Sequence, residues 1–422
     1  MGPDSRMPAG FHLLIAAQFA SALADNALLI VTMALLVEHN LPAWWAPMLK
    51  FGFTVSYVVL APWVGPLADA VPKARLMAWM NGVKVLGAAM LCLGVHPAAG
   101  FAVVGLGAAA YAPAKYGLIT EIVPARSLVA ANAWIEVSVV GAALAGTVLG
   151  GLLVSPWLVQ GEWAGGLRQE MGTISGGVLD SAYLLSLAIV LVAYAVASLL
   201  NLGVPASGAV YPQNAVGVQR APQDLLLAHR KLWRDQDGGM SLAVTTLFWG
   251  VGATLQFAVL RWAAEVLHLP LDQAAYLQAA VAVGVVLGAG LAGRHVPLGA
   301  ARRVLPLGVA LGLMMPVVAF VNSLWWAAAL LAVVGGVAGL LVVPMNALLQ
   351  HRGVALLSAG RSIAVQGFNE NVSVLAMLAI YGALVAAEVP IVGLLCGFGL
   401  LIAAAMGALW WRERRRCGSW FH

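Results

Sequence analysis

The sequence predicts an all-α membrane protein with about twelve helical spans in two pseudo-symmetric six-helix bundles. Three observations carry that prediction. Hydrophobic residues make up 62% of the 422 positions and charged residues 9%, against roughly 25% charged in a soluble domain. So few charges cannot coat an apolar core in water. The apolar residues fall in twelve runs near the roughly 20 residues needed to cross hydrocarbon. The second half of the chain also echoes the first. The runs are apolar on every side, which favours helices; strands of a membrane barrel would alternate polar and apolar positions.

In order, the runs cover roughly 11–37, 47–67, 76–95, 98–120, 127–154 and 181–203, then 240–264, 271–293, 304–321, 324–349, 361–386 and 389–411. The polar insert 204–239 parts them six and six, giving a bundle over 1–203, a linker, and a second bundle over 240–422 with a basic tail. Of the 22 Lys and Arg residues, 17 fall in segments that share a side with the termini and the linker. Only Lys50 and Arg168 fall opposite, while Lys84, Lys115 and Arg261 lie within runs. Because basic loops stay inside, both termini and the linker are expected to be cytoplasmic. Trp44–Trp45, Trp157, Trp163, Trp325–Trp326 and Trp410–Trp411 stand where interfacial belts are expected.

The internal echo is positional. Gly105-x7-Pro113 in the fourth run matches Gly336-x7-Pro344 in the tenth. Arg126-Ser127 matches Arg361-Ser362, and Glu136-Val-Ser138-Val matches Asn371-Val-Ser373-Val; the three offsets are 231, 235 and 235. Parallel repeats with a site at midplane between them are the architecture of major facilitator transporters. The loop GPLADAVPKAR (65–75) is a loose version of that superfamily's G-x-L-A-D-x-x-G-[RK]-[RK] element, with Pro72 where glycine is usual. Here Gly65 is expected to let helices approach, and Asp69 to face Lys73, Arg75 or a neighbouring helix N-terminus. The counterpart GAGLAGRHVPLGAARR (288–303) keeps the basic residues and lacks the acid.

An ionisable residue inside a span costs about 2.5–3.5 kcal/mol on insertion scales, so each is a functional candidate. Asp25 is near the middle of the first run, beside Asn26, on a polar stripe with Gln18, Ser21 and Thr32. Lys84 is nine residues past Arg75, about 13 Å deep at the helical rise, and needs an acidic partner, with Asp25 the candidate. Lys115 is near the end of the fourth run, where snorkelling or pairing with Glu121 competes with a gating or phosphate-binding role. Glu136 and Glu370 sit at equivalent depths in the two repeats and suit cation binding, mutual pairing or helix capping equally. Arg261 stands one turn from Glu265 at an outer end, open to interfacial snorkelling or headgroup contact. Gly141, Gly146, Gly150 and Gly151 read as small-residue helix packing.

Several chemistries lack their residues. Cys92 and Cys396 lie within apolar runs and Cys417 in the tail, which suggests neither a disulfide framework nor a metal site. No G-x-x-x-x-G-K-[ST] loop, H-E-x-x-H pair or H-x4-D acyltransferase pair occurs. A non-enzymatic carrier without cofactor, metal or nucleic-acid partner is therefore expected. No cleavable signal peptide is expected either, so the first span would serve as the targeting signal.

Five strings add a resemblance: ADNALL (24–29), AAAYAPAKYGL (108–118), FWGVGATLQF (248–257), VPMNALLQHRG (343–353) and AVQGFNEN (364–371). They resemble the LplT family of bacterial lysophospholipid transporters, within the major facilitator superfamily, and the likeness spans the chain. The resemblance implies a carrier in the bacterial inner membrane, and a monomer is expected. It would move lysophosphatidylethanolamine and lysophosphatidylglycerol from the outer to the inner leaflet, where an acyltransferase/acyl-ACP synthetase re-acylates them. It also implies substrate contacts at Asp25, Asn26, Lys84, Lys115, Glu136 and Glu370. The pattern has an arginine where this chain has Gln256, and Arg261 follows five residues later. The residues themselves also suit a multidrug or other small-solute exporter.

Overall fold

The computed structural model describes residues 7–8, 10–42, 45–161, 165–166, 169–170, 173, 181–209, 211, 219–269 and 271–418. Arg6, Trp44, Trp163 and Arg168 lie outside them, as does the side chain of Cys417. Among the described residues the regular structure is helical. The spans are α1 (Phe11–Glu38), α2 (Trp45–Ala70), α3 (Lys73–Cys92), α4 (Pro97–Ile122), α5 (Leu128–Leu153) and, after the single turn α6 (Pro156–Val159), α7 (Leu184–Leu202). After α8 (Ala221–Arg234) come α9 (Gln236–Glu265), α10 (Leu271–His295), α11 (Leu305–Ala319), α12 (Leu324–Leu356), α13 (Ala359–Ala386) and α14 (Ile391–Gly418).

Eleven described helices are long and apolar enough to cross a membrane. The exception among the expected spans is α3, whose Lys73, Arg75, Asn81 and Lys84 depress its hydropathy. All but Arg75 of these are buried, so α3 places its polarity in the protein interior. Most helices begin and end within four residues of the expected runs. The main extensions are α12, which carries the polar Gln350 and Arg352 beyond its apolar stretch, and α14, which continues into the basic tail.

Helix pairings recur between the repeats. In the first half α2 and α3 pack on α4, α3 and α1 on α7, and α1 on α4. In the second, α10 and α11 pack on α12, α11 and α9 on α14, and α9 on α12. Small residues make the close crossings possible where lipid gives no hydrophobic drive for association. Gly284 and Gly288 of α10 lie against the backbone of Ala332 and Gly336 in α12. Gly146 and Gly150 of α5 lie on Leu23, Asn26 and Ile30 of α1, as the glycine-rich run predicts.

The chain forms two compact units: Met1–Ile122, Gly141–Ala228 and Leu357–Gly367 in one, and Val123–Val140, His229–Leu356 and Phe368–His422 in the other. Each unit thus takes the opening stretch of a helix from the opposite repeat: α13 begins in the first unit, α5 in the second. The core of the first gathers Leu28, Val31, Leu35, Leu91, Phe101 and Tyr194. The second holds one cluster around Trp262, Leu277, Val318 and Leu331 and another around Val244, Leu305, Leu341 and Met345.

Sequence reasoning missed α8, read above as polar linker. Its signals were there: Pro222 at the start, Asp224 in the first turn and Lys231 and Arg234 in the last, which complement the helix dipole.

Candidate functional site

The polar stripe of α1 meets the polar residues of α3 inside the first unit. The Lys84 ammonium donates to Asp25 Oδ2 at 2.7 Å and to Ser21 Oγ at 3.0 Å. It also lies 5.0 Å from the Tyr111 ring centroid and 5.8 Å from that of Tyr194. Tyr194 donates its hydroxyl to Asp25 Oδ1 at 2.8 Å, so both carboxylate oxygens are engaged. Ser21 donates to Asn81 Oδ1 at 2.8 Å, and the Asn81 amide nitrogen is buried with no hydrogen-bond partner among the described residues. Side-chain exposure is 2% for Lys84 and 18% for Asp25, so the pair is deep but its acidic end has some access. The partner expected for Lys84 is therefore the observed one. Sequence reasoning missed Tyr194, for an aromatic residue in an apolar run carries no periodic signal. Asn26 turns back on its own helix, donating to the Ala22 carbonyl at 2.8 Å.

A second polar node sits at the end of α2. Asp69 Oδ1 accepts from the Gly360 backbone N–H at 2.8 Å, and Oδ2 accepts from Ser358 Oγ at 2.5 Å. Both donors lie at the N-terminus of α13, where unpaired N–H groups and the dipole favour a carboxylate. Lys73 Nζ is 3.7 Å from Asp69 and pairs with Glu121, which also accepts from Ser207 at 2.5 Å and Tyr211 at 2.9 Å. Burial, and Glu121 beside it, push the Tyr211 hydroxyl above the usual phenol range. Arg75 is exposed. A Cβ on Gly65 would stand 2.9 Å from Ala364 Cβ and 3.1 Å from Arg361 Cα, so glycine permits the approach that seats Asp69.

The other predicted residues are carried by other helices, α4, α5, α9 and α13. Lys115 is buried, 4.2 Å from the Tyr116 ring centroid, and Glu136 is buried in α5. Glu370 is half-buried in α13. Arg261 pairs with Glu265 one turn on, and the Gln256 carbonyl accepts from the Gln278 amide at 2.6 Å while its own side chain is exposed. In the second unit, Asn132 and Gln350 exchange two buried amide hydrogen bonds of 2.8 and 2.9 Å. Asp235 caps α9 by accepting from Gly238 N–H at 2.8 Å and takes Arg352 at 2.5 and 3.0 Å. The Arg352 guanidinium holds that carboxyl below the usual range.

Among the described residues there is no group of metal ligands. What the arrangement offers is a buried pair of opposite charges in apolar walls, and a carboxylate latch on a helix N-terminus.

Comparison with known proteins agrees with this architecture. Residues 14–374 match the Major Facilitator Superfamily. The chain is 40% identical over 408 residues to the lysophospholipid transporter LplT of Escherichia coli, covering 96% of each chain, and the LplT of Shigella boydii serotype 18 matches equally. Among solved structures, the human organic anion transporter MFSD10 aligns with a TM-score of 0.70 at 16% identity, over 95% of this chain and all of that one. The transporter FucP in its outward conformation aligns at 0.71 and 15%, over 95% and 98%. At such identities these structures establish the fold. Identity over nearly the whole length establishes more: the chain belongs to the LplT family of the Major Facilitator Superfamily.

Proposed function

We propose that this chain carries lysophospholipids across the bacterial cytoplasmic membrane, from the outer to the inner leaflet. The observation that carries the reading is the 40% identity to LplT transporters over 96% of both chains. The buried charge pair supplies its physical content. A lysophospholipid needs help only with its headgroup, because burying an unpaired charge is expensive while its acyl chain is at home against apolar walls. Lys84 and Asp25 present a cation and an anion side by side, 2.7 Å apart. A zwitterionic ethanolamine phosphate matches both: the phosphate takes Lys84 and the Asn81 amide, and the ammonium takes Asp25. The glycerol hydroxyls of lysophosphatidylglycerol donate to Asp25 instead. We assign Lys115, Glu136 and Glu370 as further charges for the headgroup, and Arg261 and Gln256 of α9 as a secondary contact.

The delivered lipid then meets an acyltransferase/acyl-ACP synthetase, and the carrier works as a monomer with both termini cytoplasmic. The 17-to-2 distribution of basic residues supports that orientation. The test gives labelled lysophosphatidylethanolamine to spheroplasts that lack their own transporter and keep the acyltransferase. Expression of this chain should yield labelled diacyl phospholipid. Absence of conversion at normal membrane abundance, or drug resistance in its place, would replace this reading with that of a small-solute exporter.

A further inference from the structure

Every spanning helix has a reason to expose leucine, because lipid covers it. Helix α8 spans nothing, yet it also exposes apolar residues. Ala221, Ala228 and Leu232 face inward and are buried. Leu226 and Leu227 face outward at 61% and 64% exposure, with Trp233 at 39%. Arg220, Arg230 and Arg234 are exposed around them. The one acid of the helix, Asp224, is held by Arg361 at 3.0 Å. The outward surface is therefore apolar and cationic, with no competing anion.

We infer that this face of α8 is seated in the headgroup layer of the adjoining leaflet and recognises anionic phospholipid. Two observations choose that occupant over a protein. Only Asp235 separates α8 from the spanning helix α9, which ties α8 to the end of a span. The composition, leucine and tryptophan framed by arginine and lysine, is that of helices lying in the interface plane. Each basic residue near an anionic surface contributes about fivefold in binding.

The seat has a mechanical consequence. On its inner side α8 grips the connection between α12 and α13: Lys231 donates to the Leu356 carbonyl, Asp224 holds Arg361, and Asn369 lies 3.2 Å from His229. That connection carries Ser358 and Gly360, the two donors to Asp69. Anionic lipid under α8 therefore steadies the turn on which the Asp69 latch closes.

The experiment uses the full chain with Cys92, Cys396 and Cys417 replaced by serine, and single spin-labelled cysteines at Leu226, Leu227 or, outside the helix, the exposed Ala209. Each is placed in nanodiscs of phosphatidylcholine with or without phosphatidylglycerol. Labels at 226 and 227 should favour collisions with oxygen over a water-soluble nickel complex, several-fold more than the label at 209. The preference should strengthen with phosphatidylglycerol and fall back in Arg230→Gln/Arg234→Gln. Equal nickel access at all three sites would overturn the inference. So would immobilised, nickel-protected 226 and 227 labels in detergent solution, where a second copy or another protein is the cover.

Discussion

Removing either partner of the Lys84–Asp25 pair should have unequal effects, and the inequality follows from the contacts. In Asp25→Asn the lysine ammonium, 2% exposed, keeps Ser21 Oγ and two aromatic rings and loses the one anion it meets among the described residues. Stranding a buried charge in this way costs about 3–5 kcal/mol. In Lys84→Met the carboxylate keeps the Tyr194 hydroxyl at 2.8 Å and is 18% exposed, so it can reach solvent. The cost is then that of a lost hydrogen-bonded partner, about 1–3 kcal/mol. Asp25→Asn/Lys84→Met removes both charges and should be more stable than Asp25→Asn alone. Unfolding in mixed micelles, titrated with a denaturing detergent and followed by tryptophan fluorescence, measures the three variants against the parent. Lys84→Met as damaging as Asp25→Asn, or a double variant equal to the sum of the singles, would refute the assignment of Asp25 as the sole counter-ion of Lys84.

Gly65→Val should cost about 1–3 kcal/mol through overpacking against Ala364 and Arg361, while Gly82→Ala, which meets nothing, should be silent in the same unfolding titration. Asn132→Leu should cost about 1–3 kcal/mol by orphaning the Gln350 amide, and adding Gln350→Met should recover much of it; a double variant worse than the single would argue against the reciprocal pair. Asp235→Ala removes a helix cap and the partner of Arg352, a loss of about 1–2 kcal/mol at neutral pH. Because the folded-state carboxyl titrates below its unfolded value, that contribution is present above about pH 4 and disappears as the pH falls through the folded value, where parent and variant should converge. For orientation, a cysteine at Gln223 should resist an impermeant thiol reagent in intact cells and one at Gln160 should react; the reverse would invert the proposed topology.

Span positions were legible because they depend on composition alone, and membrane helices satisfy their backbones within each segment. The Lys84–Asp25 pair was legible for a related reason: a charge too deep to snorkel needs a partner, and few were offered. Contacts that depend on which helix comes next were not. Tyr194 lies 169 residues from Asp25, and Gln350 lies 218 from Asn132. Neither pair leaves a periodic trace in its own segment. The linker hid α8 because an interfacial helix is too polar for a hydropathy run and too short for a span.

The two repeats, finally, share a packing scheme and differ in its electrostatics, and one aligned position shows how. Leu67-Ala68-Asp69 at the end of α2 lines up with Leu291-Ala292-Gly293 at the end of α10. Each of these helix ends meets the opening stretch of a helix from the opposite repeat. At the first, Asp69 accepts from Ser358 and Gly360 ahead of α13. At the second, a Cβ on Gly293 would stand 2.6 Å from Ala133 Cβ and 3.3 Å from Ala130 Cα of α5. One junction is a carboxylate on a helix N-terminus, the other a bare van der Waals crossing. A charged latch releases when its carboxylate is offered other donors, whereas a glycine crossing has no such switch. Asp69→Asn should therefore loosen only the α2–α13 junction, read as faster proteolysis or hydrogen exchange at 356–361 with 129–133 unchanged. Equal loosening at both would show that the two junctions open as one, and that the asymmetry in charge has no consequence for how they move.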